Sequence, residues 1–196
     1  IIPQYLMKKL LITTYLVLVC TISGFSQVSY GTYTMFPNKK LMGSYYKPQL
    51  GFGKVNDQYV LVLCYTDPEM YASFDEESVM LLKYADGTTV KLPISKRDKI
   101  AKKYESIWNS MLKTHYHLYK TFTSFDLDQE NVDRIVKNHD NIIKIRVSFT
   151  NGDIKDWDID QKYQPKLIKG LVESFNKVKS EDAVRKENLD DVEAGF

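Results

Sequence analysis

Cysteine is almost missing from this chain, with Cys20 and Cys64 the only two in 196 residues. Two cysteines allow one disulfide at most, so covalent stapling does not organise the fold. Tryptophan occurs twice and histidine three times, which leaves few side chains for a metal centre. No charge of one sign dominates. Beyond residue 26, 25 basic residues face 25 acidic ones, a net charge of zero. A nucleic-acid binder carries a basic field, so that class is excluded on global charge. Also missing are the G-x-S-x-G elbow, the P-loop and the dinucleotide fingerprint. Gly51-Phe52-Gly53 is too short for a phosphate cradle and reads as a turn. No cofactor is implied.

One long apolar run is present, at residues 10–22. Met7-Lys8-Lys9 precedes it, and Gly24 and Ser26 follow as small residues around a cleavage point. Charge, apolar core and small-x-small site form the secretory order. At 13 residues the run is shorter than the roughly 20 that span a bilayer. The expectation is a chain that starts at Met7, is cleaved after Ser26 and acts outside the cytoplasm, in the periplasm, at the cell surface or secreted. Residues 1–6 are read as upstream sequence. Acylation at Cys20 is the competing route, and it alone would tether the protein to a membrane. Lipoproteins place Gly, Ala or Ser before that cysteine; here Val19 stands there.

The remainder divides into a single domain over 27–178 and a charged C-terminal tail over 179–196, where six acids meet three bases. Short strands are expected at 28–34 and 41–46, separated by a turn at Pro37-Asn38, and a doubly covered strand at 58–66. Asp86-Gly87 predicts a type I′ hairpin between 78–85 and 88–92, and Asn151-Gly152 a second between 143–149 and 153–159. Ile100, Tyr104, Ile107, Trp108, Met111 and Leu112 recur at helical spacing, predicting a helix over 99–112 whose apolar stripe packs on a sheet. A strand follows at 115–125, then a helix capped by Asp128 to Asn138, and a last helix with Pro165 in its first turn. The class is α+β: an antiparallel sheet built from hairpins, with two or three amphipathic helices on one face. Two similar hairpin-plus-helix units, 65 residues apart, raise the question of an internal duplication.

Candidate chemistry is sparse. His115 and His117 project from one face of a strand and form half of a zinc site, with His139, Asp126, Asp128 or Asp140 as possible third ligands. On this reading the protein is a small metal-dependent hydrolase. Asp153, Asp156, Asp158 and Asp160 cluster on the second hairpin, but solvated acids give the same pattern as a glycosidase pair. Cys64 sits in an apolar strand and reads as a buried thiol. Tyrosine is the compositional excess: twelve lie beyond residue 26, several grouped, including Tyr65, Tyr71, Tyr116 and Tyr119. A flat apolar ring with a polar tip suits protein and glycan recognition.

The leader ending Gly24-Phe25-Ser26-Gln27, the block Met80-Leu81-Leu82-Lys83-Tyr84-Ala85-Asp86-Gly87 and the run Asn141-Ile142-Ile143-Lys144-Ile145-Arg146 together resemble small exported Bacteroidetes proteins of unknown function, periplasmic or lipoprotein-like. The resemblance implies an envelope location and carries no catalytic residue. The resulting expectation is a non-enzymatic exported binding domain for a protein, peptide or glycan. A metal-dependent hydrolase using His115 and His117 and a structural envelope protein are the alternatives.

Overall fold

Alternating apolar strands joined by tight turns build two antiparallel sheets, seen in a computed structural model that describes residues 28–30, 34–35 and 48–194. The first sheet has the order β1 (Val28–Tyr30), β3 (Gln49–Val55), β4 (Gln58–Asp67), β8 (Thr114–Asp126) and β7 (Ala101–Asn109), with β2 (Thr34–Met35) also paired to β3. The second has the order β10 (Ile154–Asp158), β9 (Ile142–Ser148), β5 (Val79–Tyr84) and β6 (Thr89–Pro93). Helix α1 spans Gln129–Val136 and α2 spans Gln164–Ala194, entered through a short 3₁₀ turn at Gln161–Tyr163. The export segment, the turn at Pro37-Asn38 and the strand expected at 41–46 lie outside the described residues.

The α+β class holds, but the single sheet with two or three helices on one face becomes two sheets facing each other, with two α-helices among the described residues. One apolar core lies between them. Leu50, Phe52, Leu61, Leu63 and Phe125 of the first sheet meet Met80, Leu82, Leu92, Ile145 and Val147 of the second, and Leu167, Ile168, Leu171 and Val178 of α2 close it. Each such side chain contributes roughly 1.5–3 kcal/mol by leaving water. On the opposite face of β3 and β4, Val55, Val60 and Val62 form a second buried cluster. Cys64 shares that face and is buried, and burial pushes its thiol up to about 11, so it is chemically quiet.

Local chemistry explains the start of α1 and the turns of both hairpins of the second sheet. Asp128 caps α1 by accepting from the Asn131 amide at 2.8 Å. Both glycine turns share one geometry, which differs from the expected type I′. The Gly87 amide bonds the Tyr84 carbonyl and the Tyr84 amide bonds that of Thr88; Gly152, Phe149 and Asp153 repeat this. Within these two turns only Gly87 (φ 89°) and Gly152 (φ 80°) take positive φ, because a third loop residue relieves Asp86 and Asn151 of that conformation. Shifting the numbering by 65 converts the pair Met80–Val147 into Leu82–Ile145, so an approximate two-fold relates the two hairpins. The correspondence stops there. After β6 the chain forms strand β7, and after β10 it forms helix α2.

The helix expected over 99–112 is therefore a correction. Ile100, Tyr104 and Trp108 are four apart, a spacing that satisfies a period of two as well as 3.6. The deciding term is non-local. β4 pairs β8 only as far as Tyr119, so residues 114–118 would keep unmet backbone groups; β7 meets them from Asn109↔Thr114 to Ala101↔Phe122. Helix α2 also runs on past Val178 to Ala194. Asp182, within the segment read from sequence as a charged tail, bonds the buried Lys54 ammonium at 2.7 Å. Burial alone would lower the lysine's pKa, but the Asp182 carboxylate outweighs it and raises it.

Candidate functional site

The β7–β8 hairpin extends beyond the last β4 pair, Asp67↔Tyr119, as a two-stranded arm. Because paired residues share a face, Tyr104, Ser106 and Trp108 of β7 lie with Tyr119, His117 and His115 of β8. The same alternation places them on the face that, further along β8, carries Thr123 and the core residue Phe125. In the body this face is sealed by the second sheet. On the arm it opens, leaving Tyr104 48% and Trp108 54% exposed.

Ring contacts join the strip in two groups. Tyr71 meets Tyr119 edge-on at 5.2 Å, Tyr119 meets Tyr104 at 5.2 Å, and Tyr104 stacks on His117 at 6.0 Å. Trp108 packs on His115 at 4.9 Å. Nδ1 of His117 hydrogen-bonds the Tyr104 hydroxyl at 2.6 Å, and Nδ1 of His115 the Ser106 hydroxyl at 2.9 Å. These bonds fix ring orientation, so the surface is pre-arranged instead of forming when a ligand arrives.

Tyr71 arrives from the connection between β4 and β5, which several bonds hold in place. Asp67 accepts from the amides of Glu69 and Met70, Thr121 accepts from the Ala72 amide at 3.0 Å, and the Thr150 amide bonds the Ser73 carbonyl. Beside this connection lies a groove of about 440 Å³, lined by Tyr65, Asp67, Glu69, Tyr71, Phe149 and Asp153 among others. Tyr71 belongs to both groove and strip, so the two form one path along the molecule. Burial and then Asp67 push the Tyr65 hydroxyl up to about 12, which keeps it a neutral hydrogen-bonding group.

The histidine pair stands on one face of the arm, as alternation requires. Among the described residues no third His, Cys, Asp or Glu joins it. Asp126 is nine residues further along β8, roughly 30 Å at strand rise. Asp128 is occupied as the α1 cap and Asp140 bonds Arg134 at 2.8 Å. His139 lines a separate cavity of about 530 Å³ with Asn141, Pro165, Ile168 and Val172. The carboxylates of the second hairpin are also separated in role. Asp156 takes a two-pronged bond from Arg146 at 2.6 and 2.7 Å and a third from Lys144 at 3.0 Å, holding it well below the ordinary carboxylate range. A general acid needs the opposite shift. Asp158 lies 3.5 Å from Lys144, Asp160 precedes the 3₁₀ turn, and Asp153 lines the groove.

Sequence reasoning identified His115, His117 and the tyrosines but missed Trp108 and Tyr104, which it placed inside a core-facing helix. The available signal was the alternation Tyr104-x-Ser106-x-Trp108 opposite His115-x-His117-x-Tyr119. No family model matches the chain, and neither a curated protein nor a solved structure matches it.

Proposed function

We propose that this protein is an exported, non-enzymatic binding domain whose recognition surface is the aromatic face of the arm together with the adjoining groove. The observation that carries the reading is two neighbouring groups of rings on one face of the arm, Tyr71–Tyr119–Tyr104–His117 and Trp108–His115, pre-oriented yet open to water. Stacked aromatics with hydroxyls and imidazoles between them offer apolar contact and directional bonds at once. Such a path fits an extended ligand, a protein segment, peptide or glycan chain of the cell envelope. The leader at residues 7–26 and the likeness to small exported Bacteroidetes proteins support the location.

A screen of glycans and peptides, followed by calorimetry, tests the reading. The expected result is one saturable ligand class whose affinity falls roughly tenfold or more in Tyr104→Ala and Trp108→Ala, as for central aromatic anchors. Absence of saturable binding to any class would overturn it. Zinc recovered with the purified protein, and lost in His117→Ala, would favour the metal-dependent hydrolase instead.

A further inference from the structure

The groove beside the arm is lined by three carboxylates, Asp67, Glu69 and Asp153, against one lysine, Lys155. The bonds these acids accept come from neutral donors. Asp67 takes the amides of Glu69 and Met70 and the Tyr65 hydroxyl, and Asp153 takes the Asn151 carboxamide at 2.8 Å. Asp75, Glu76 and Glu77 follow in the same connection, which holds no base from Asp67 to Glu77. Rings form the rest of the wall. Phe149 meets Tyr65 edge-on at 5.3 Å, and the Lys102 ammonium already lies 5.6 Å from the Tyr71 ring. Carboxylates beside aromatic faces are the surroundings that a cation prefers.

The groove also reaches a free sheet edge. Asp153 and Lys155 stand at the start of β10, and no strand lies beyond β10 among the described residues. The Phe149 amide bonds the Asp153 carbonyl, so alternation makes Val147↔Lys155 and Ile145↔Trp157 the hydrogen-bonded pairs. The amides and carbonyls of Ile154, Asp156 and Asp158 therefore point outward, where a further strand would lie. β10 carries neither a proline nor a bulge to block one.

We propose that an extended peptide adds to β10 as a fifth strand and sets an arginine or lysine side chain in the groove. Main-chain bonds to the edge supply affinity, and the pocket selects the side chain. The cation answers the groove's negative charge while its stem lies along the rings. A neutral glycan offers neither that charge nor a strand's regular donors and acceptors. The inference rests on the reading of groove and arm as one recognition surface, and narrows its ligand to a basic peptide.

The test measures fluorescence anisotropy of the full chain with four pools of nine-residue peptides, randomised except for a central Arg, Lys, Glu or Leu. The Arg and Lys pools should bind about tenfold tighter than the other two, and salt should weaken them. The triple variant Asp67→Asn, Glu69→Gln, Asp153→Asn keeps the acceptors of the turn bonds and removes only charge. It should lose about tenfold for the basic pools. Ile154→Pro removes an outward amide and no ladder bond, and should weaken the same pools. Glu130→Gln on α1 controls for net charge and should change nothing. Unchanged circular dichroism confirms folding of each variant. Equal binding of all four pools would overturn the proposal, as would full binding by the triple variant or by Ile154→Pro. So would a neutral oligosaccharide that binds saturably through Tyr104 and Trp108 but not through the three acids. In that case the recognition surface stands and only its ligand class is wrong. If neither peptide nor oligosaccharide binds, both readings fall.

Discussion

Trp157 and Trp108 each sit on a β-strand with alternating side chains, yet one is 4% exposed and the other 54%. Trp157 lies in the body, where the second sheet, α1 and α2 close over the first. Trp108 lies on the arm, where β8 has outrun β4. The same period-two pattern thus makes a core where a second layer exists and an open aromatic strip where it ends. Burial is decided by what stands opposite a strand, so identical local chemistry serves stability in one region and contact in the other.

The largest test of that contrast removes one large side chain from each region. Phe52→Ala should cost roughly 3–5 kcal/mol in urea unfolding, because it empties a fully buried site. Trp108→Ala should stay within about 0.5 kcal/mol. Cys64 supplies an independent reading: a thiol reagent should label it slowly in the parent and faster in Phe52→Ala only. A comparable loss from Trp108→Ala would mean that the arm is part of the core.

Next in size is the tie between β3 and α2. Asp182→Ala leaves the Lys54 ammonium buried with only Asp57, 3.5 Å away at the surface, and should cost about 2–3 kcal/mol. Adding Lys54→Met should recover most of that loss. If Asp182→Ala is silent, the helix beyond Val178 contributes nothing to the body.

A smaller effect concerns acid. The Asp156 carboxylate has a folded pKa below its ordinary value of 3.8, chiefly because Arg146 binds it. A depressed folded pKa contributes stability that is present above the unfolded pKa and lost as pH falls through the folded one. Asp156→Asn should therefore cost about 1 kcal/mol at neutral pH, given the partial exposure of the pair. The difference from the parent should shrink below pH 4 and be gone at strongly acidic pH. A gap that persists there would point to packing instead of charge. The smallest change in stability belongs to Met111→Ser at the arm's apex, expected to leave the unfolding curve unchanged, within about 0.5 kcal/mol.

Much of the body was legible in advance, and the reason is local. Asp86-Gly87 and Asn151-Gly152 announce turns because glycine accepts the φ that the loop demands. Asp128 announces a helix start because its side chain reaches an otherwise unmet amide. The run at 58–66 announces a covered strand because it carries little polarity on either face. Each signal acts within a few residues. The candidate site was legible only in pieces: the histidines and tyrosines were visible, but their union with Trp108 was hidden behind a spacing that fits helix and strand alike.

By its sequence alone this chain determined its hairpins, its α1 cap, its quiet thiol and an apolar run with the order of an export signal, since each depends on neighbours in the chain. Tertiary structure decided that residues 101–109 are strand, that the sheets are two, and that the helix beyond Val178 is tied back through Asp182. Those outcomes depend on partners many residues away. The unmet backbone of β8 recruits β7, and the end of the second sheet leaves the rings of the arm in water.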